Sequence, residues 1–462
     1  RDLVRAASAS FGRPYRVEPS RMRDIAVTLA VLGTLPFILW RPWYGILVWS
    51  WLGFMNPHRL AWGFATTLPL AMTVALTTMV ALLLSKEKQK FVWTREMVLI
   101  LIFLAWMVVT TSFSMYPWLA WDQLIKVTKI FLMIFVAAIL INSAERLQAL
   151  VLVIALSLGF YGVKGGIFTV ATGGSFQVRG PPGTFIDGNN EIGLALAMTI
   201  PLLYYLARHT KQVFLRVGFL LAAGLTALSA LGTQSRGALL GLGAMTVFLW
   251  LKSRSKFLTL VVIALVAAVV LPMMPETWWA RMQTIQTYEQ DASAVGRLNA
   301  WMMAANLAAH RITGGGFECF QEPTFWLYAP DPTNVHDSHS IYFQILGHQG
   351  YIGLVIFLLL IAFTWFSASS VIRATKKEKE KHWLRDLMAM IQVSLIAYLS
   401  AGAFLGLGYF DYFYNLVLIV AVAKVLVARN IVSTTTGESE APAGQPELAS
   451  ASPRSTMAKA RL

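Results

Sequence analysis

Charge is scarce in this sequence. Only 13% of its 462 residues are Asp, Glu, Lys or Arg, roughly half the share of a soluble globular domain. Cysteine is nearly absent: Cys319 stands alone, which excludes a disulfide framework and a thiolate metal cluster within one chain. There is no Asp-x-Asp pair of the kind that grips a metal–nucleotide complex, no phosphate-cradling glycine loop and no internal repeat. What fills the gap is apolar: 56% of the chain, with 16 Trp and 27 Phe. A soluble enzyme, a disordered regulator and a DNA-binding domain are excluded, although the net charge is +15. The composition is that of an all-α polytopic membrane protein.

Apolar runs long enough to cross a bilayer are expected near 62–84, 96–113, 123–142, 148–169, 191–207, 213–233, 237–251, 257–273, 340–370, 384–409 and 412–428. The segments between them alternate sharply in Lys and Arg. One set, spanning Arg1–Arg23, Lys86–Arg95, Arg146, Arg208–Arg216, Lys252–Lys256, Arg373–Arg385 and Lys424–Arg461, holds 28 of the 38 basic residues. By the positive-inside rule these segments are cytoplasmic, and their charge calls for lipid headgroups rather than nucleic acid. Parity then requires 24–56 to count as one crossing, bent at Trp40–Arg41–Pro42. The expected layout is about twelve transmembrane helices with both termini inside. It has a basic N-terminus (1–23), a membrane region with short loops (24–273), a long outward loop with amphipathic helices (274–339), C-terminal helices (340–430) and a disordered tail (431–462). Residues 1–23 lack the short apolar core of a cleavable signal.

The outward face carries the chemistry. Residues 171–190 are dense in turn formers, with Arg179 their only basic residue. Thr233–Gly237 is a tight turn holding Arg236. In the long loop a helix is expected from Gly296–Arg297 to Arg311, followed by Gly314–Gly316 and by His336-Asp337-Ser338-His339-Ser340 at the membrane boundary. Arg179, Arg236 and Arg297 stand against the bias that keeps Arg inside, and Lys126, Lys129 and Lys164 lie within or at the outward ends of spans. Such a cluster suits a membrane-embedded phosphate, because guanidinium groups bind phosphate oxygens bidentately. Arg281 and Arg311 read as solvated, and Trp278-Trp279 as an interfacial anchor. His336 and His339 have a metal-like spacing but no third ligand at a matching offset, so no metal is expected. A histidine where the loop re-enters the membrane fits a general base, and either could serve.

These residues resemble the O-antigen ligase and polymerase superfamily. His339-Ser340 followed by apolar residues and Gly350-Tyr351-Ile352-Gly353 is similar to its hallmark. Ser235-Arg236-Gly237, Gly296-Arg297 with Trp301, and Gly314-Gly315-Gly316-Phe317 resemble its other motifs, in order. Lys164-Gly165-Gly166 and Arg179-Gly180-Pro181-Pro182 resemble the exosortase-associated O-glycosylation ligase branch. The resemblance implies a cofactor-free, metal-independent, inverting transferase of the GT-C type in a bacterial inner membrane, with its site facing the periplasm. The donor would be a glycan on undecaprenyl pyrophosphate and the acceptor a sugar hydroxyl of lipid A–core. It implies a base role for His339, and pyrophosphate binding by Arg236 and Arg297, with Arg179 and Lys164 following from the narrower branch. Ser340 departs from the Asn of many members, and His336 is a second candidate base. An O-antigen polymerase or a protein O-oligosaccharyltransferase would share these motifs, and a lipid-linked sugar flippase would share the outward cations.

Overall fold

The computed structural model describes residues 21–86, 91–253, 255–283 and 292–438, and every helix or strand among them is a helix. The membrane part begins with α1 (Arg21–Trp40), α2 (Trp43–Met55), α3 (Leu70–Leu84), α4 (Arg95–Ser112) and α5 (Pro117–Leu140). It continues with α6 (Ala144–Ala171), α7 (Asn189–His209), α8 (Val213–Gly232), α9 (Arg236–Lys252) and α10 (Lys256–Val270). The long loop holds α11 (Glu276–Gln283), α12 (Ala292–His310) and α13 (Glu322–Tyr328). The chain then re-enters through α14 (Ile341–Ala374), α15 (His382–Gly402) and α16 (Asp411–Glu438). Ten of these are long and apolar enough to cross a membrane, and α2, α3 and α9 are shorter. The protein is therefore an all-α polytopic membrane protein.

Its two ends differ in charge. At one, Arg146 lies over the Trp43 ring, Lys424 approaches Glu96, and Asp386 pairs with Arg208 and His209. This basic end gathers the connections whose Lys and Arg residues the sequence marks. The opposite, loop end holds the long loop and the 171–190 and 233–236 turns. Residues 39–42 and 84–86 line one cavity, while Ala65 N–H donates to Asp24 Oδ1 at 2.9 Å at the far end of the same helices. The segment 24–56, expected as one bent crossing, is thus two antiparallel helices that reverse at Arg41-Pro42, where Pro42 removes the next helical N–H. Three helices of alternating direction precede residue 85 rather than two, of which α1 alone is long and apolar enough to cross a membrane. Arg21 and Arg23 consequently stand at the loop end and not with the basic set; residues 1–20 lie outside the described residues. At the other terminus α16 continues to Glu438, past the expected start of the tail at 431, and 439–462 lie outside the described residues.

Packing follows the chemistry of a lipid solvent. Gly162, Gly165 and Gly166 let α6 press directly on Thr226, Ser229 and the Leu225 carbonyl of α8, a small-residue contact suited to helices with no hydrophobic drive to associate. Residues 412–423 of α16 are all buried, so this helix is the pillar of the bundle. The helix α14 is broken at Gly350, whose backbone (φ 65, ψ −173) is not helical. The carbonyls freed by the break are taken up by other parts of the chain. Gly315 N donates to Gly347 O at 2.8 Å, Gly316 N to His348 O at 3.0 Å, and Trp106 Nε1 to Gln349 O at 2.8 Å. The triglycine turn is therefore a plug seated in a broken helix. The uninterrupted part of α14, 351–374, is about 36 Å long and spans alone; the nine residues before it are a separate half-helix starting at Ser340.

A Cβ at Gly350 would stand 2.3 Å from Ile312 O in a backbone that side chains avoid. Gly350→Ala is expected to cost roughly 2–3 kcal/mol, read as a fall of several degrees in the unfolding midpoint in detergent. An unchanged midpoint would show that the plug is not needed.

Candidate active site

The half-helix of α14 begins where the long loop ends, and α12 fixes that junction. Asn299 donates to Asp331 O at 2.7 Å and Asn334 O at 2.9 Å, and accepts from Asp331 N at 2.9 Å. Trp301 stacks on Phe343 with centroids 4.8 Å apart and donates its indole N–H to Ser338 O at 2.6 Å. Gly296 makes room for His336: a Cβ there would lie 2.2 Å from the His336 ring. His339 is held between the pinned Ser338 and the buried Ser340, half-buried, with a left-handed backbone (φ 40). A non-glycine residue held in that region is strained, and such strain concentrates at functional sites.

The surroundings of His339 decide its charge. Burial pushes its imidazole below the ordinary histidine range, and the positive charges of Arg297 and His336 act in the same direction. Asp337 opposes them without prevailing. A neutral imidazole with a carboxylate nearby is a competent base at neutral pH. Asp337 itself accepts from Ser338 N at 2.7 Å, and its other oxygen faces Gly406, 3.6 Å from a Cβ built there. Glu191, in the first turn of α7, lies within the fields of Asp187, Asp337 and Arg297. Arg297, His336, Asp337, His339 and Glu191 therefore form one polar cluster.

The turn that carries Arg236 stands at the same end of the bundle. Arg236 opens α9, capped by Ser235, whose Oγ accepts from Ala238 N at 3.2 Å. The preceding Gln234 has φ 54 and donates to Gly174 O at 2.9 Å. Asn189 Nδ2 donates to Thr233 O at 3.0 Å, and Val178 N to Gly232 O at 3.0 Å. These bonds strap the 178–189 loop, with the exposed Arg179, onto the α8–α9 turn. Gly237 packs near Phe404, whose ring lies 6.3 Å from Trp301. The structure thus brings Arg179, Arg236, Arg297, His336 and His339 to one region of the loop end.

The three lysines are less closely involved. Lys126 is near enough to Glu318 to act on its charge, Lys129 sits one turn deeper on the exposed side of α5, and Lys164 is exposed on α6. Two other expectations are corrected. Arg311 is not simply solvated, since it ties the end of α12 down by donating to Gly314 O at 3.0 Å and Phe113 O at 2.8 Å. Trp278 is 2% exposed and donates to Leu231 O at 3.2 Å, so it belongs to the packing rather than the interface; Trp279 is 40% exposed. Sequence reasoning missed Arg59, which the 56–69 connection between α2 and α3 carries to Gly183, 3.6 Å from a Cβ built there. The Asn-Pro-His-Arg turn was the available signal.

A membrane bundle with a loop-end cluster of Arg, His and carboxylate defines the class, a polytopic membrane protein with a polar site at one end. The comparisons specify it further. Residues 219–358 match the O-Antigen ligase family, and residues 22–211 match a family of unknown function (DUF5935). No curated protein matches. The O-antigen ligase match runs from α8 through the Gly350 break and contains Arg236, Arg297, His336 and His339, and over that part of the chain it supports the O-antigen ligase superfamily. That domain supports a glycosyltransferase of the O-antigen ligase or polymerase type. The site straddles the two matches, since Arg59, Arg179 and Glu191 lie in the amino-terminal one.

Trp301→Phe keeps the stack on Phe343 and removes one buried hydrogen bond, worth about 1 kcal/mol. Amide exchange across 336–340 is expected to rise roughly fivefold with the fold retained. Unchanged exchange would mean that Trp301 does not hold the junction.

Proposed function

We propose that the protein transfers an O-antigen glycan from undecaprenyl pyrophosphate to a sugar hydroxyl of lipid A–core, by an inverting, metal-independent mechanism of the GT-C type. On this reading it sits in a bacterial inner membrane with the loop end facing the periplasm. The observation that carries the reading is a neutral His339 with a left-handed backbone, within the field of Arg297 and at the same loop end as the turn that carries Arg236. His339 accepts the proton of the acceptor hydroxyl, whose oxygen attacks the anomeric carbon from the face opposite the leaving group. The bond from that carbon to the phosphate oxygen breaks, and the charge on the departing undecaprenyl pyrophosphate is taken up by Arg236 and Arg297. Arg179 adds charge from the strapped loop. A pyrophosphate needs charge stabilisation more than protonation, so fixed arginines and one base suffice. His336 sits against Gly296 and influences His339 through its charge.

The test is transfer by purified protein in detergent, with EDTA present, followed as the upward shift of lipid A–core on a gel. Wild type is expected to give the shift and His339→Ala to lose it by about 10²–10⁴-fold, the usual contribution of a general base, while still binding donor. A His339→Ala protein that works normally would remove the base assignment and favour a flippase. Binding without transfer in wild type would redirect the acceptor to a second lipid-linked glycan or a protein hydroxyl.

The pH profile supplies an independent check. His339 acts when neutral, and its pKa is lowered. Activity is therefore expected to persist below pH ~6.5 and to fall only as pH drops through the lowered value. Asp337→Asn removes the one neighbour that raises this pKa, so the acid limb of kcat/KM should move further toward acid. A limb that moves toward neutrality would contradict the assignment.

A further inference from the structure

Arg59 lies where the charge bias of membrane proteins disfavours it, on the loop-end turn between α2 and α3. The turn is firmly set. Asn56 has a left-handed backbone (φ 47) and donates its side-chain amide to Gly53 O at 2.7 Å, and Arg59 N–H closes on Asn56 O at 2.9 Å. Tyr161 donates to Met55 O and anchors the turn to α6, ten residues before that helix ends and so about 15 Å below its tip. The Arg59 side chain is half-buried, and no carboxylate among the described residues forms an ion pair with it. His58 beside it buries an Nδ1 that the described residues leave without a hydrogen bond. Asp187, on the facing loop, spends Oδ2 on Gly183 N at 2.8 Å.

The facing loop gives Arg59 its context. Both ends of the 178–189 segment are strapped to the turn that carries Arg236, and its middle, at Gly183, rests against the Arg59 guanidinium. Phe185 pairs with Phe410, with centroids 6.4 Å apart, and holds the segment over the entry to α16. The loop therefore runs between two arginines, Arg236 on one side and Arg59 on the other, with Arg179 on the loop itself. A half-buried guanidinium with no carboxylate partner keeps its planar fork available to the oxygens of a ligand anion.

We propose that Arg59 binds phosphate oxygens of the lipid-linked donor, on the side of the 178–189 loop away from Arg236. The amino-terminal region, matched only to a family of unknown function, then supplies part of the donor site. The assignment rests on the lipid-pyrophosphate donor proposed for the transferase. Its ligand chemistry is a phosphate oxyanion, which an acidic lipid headgroup also offers, so the test must separate the two.

The experiment measures binding of undecaprenyl pyrophosphate to the full-length protein in nanodiscs, and of phosphatidylglycerol in a parallel arm. Arg59→Ala and Arg59→Gln are expected to weaken undecaprenyl pyrophosphate binding by ~10-fold or more, the effect of a lost charge-assisted hydrogen bond. Arg59→Lys should recover part of it, as a point charge without the bidentate fork, and phosphatidylglycerol binding should not change. If Arg59→Ala fails to fold, the Gln and Lys variants carry the comparison. Undiminished undecaprenyl pyrophosphate binding in a folded variant overturns the inference alone, as does an equal loss for phosphatidylglycerol. No binding by wild type overturns the donor and the inference together.

Discussion

A helix crossing a membrane can be broken only where new partners satisfy the carbonyls it releases, and that constraint organises the loop end of this protein. The break at Gly350 frees the carbonyls of Gly347, His348 and Gln349. The Gly315 and Gly316 amides and the Trp106 indole replace the lost helical donors. The exchange has two results. It draws the long loop down into the bundle, with Met115 N bonded to Gly315 O at 2.9 Å. It also leaves a short half-helix whose first residues are free to take a direction the membrane span does not dictate, and His339 sits at that start.

Around this junction the polar groups are arranged by rigid elements rather than by the loop's own preferences. Trp301 and Asn299 are on a helix, Arg236 follows a capped helix start, and Glu191 lies in the first turn of α7. The loop backbone is fixed by hydrogen bonds to side chains from those helices. That is the arrangement a charge-stabilising site requires, because donors that need not reorganise when charge develops are worth more than mobile ones. The desolvation that lowers the His339 pKa comes from the same enclosure.

The fold class was legible because apolar runs of the right length are its physical requirement. Arg297 and Arg236 stood out in the sequence because they depart from the bias that keeps Arg inside, and His339 because it lies where the loop re-enters the membrane. Other features were hidden by sequence distance. Nothing local to Gly314–Gly316 says that the turn fills a gap at Gly350, or local to Trp301 that it holds Ser338. The α1–α2 hairpin was misjudged because Arg41-Pro42 looks the same in a kinked span as in a tight reversal. The parity argument then carried that error to the side assigned to Arg21. Arg59 was overlooked because the 56–69 connection between apolar helices reads as an ordinary connector until Gly183 is seen against it.

The left-handed backbone of His339 has a consequence for how such a protein evolves. Glycine would occupy that position with less strain than any side chain, and asparagine with little. On the proposed reading of His339 as the base, an inactive chain is conformationally more comfortable than an active one, and random drift at position 339 runs downhill toward robustness and away from chemistry. Keeping an imidazole there sets a standing conflict between durability and turnover. The surrounding clamps of Trp301, Asn299 and the glycine plug are what make that conflict tolerable.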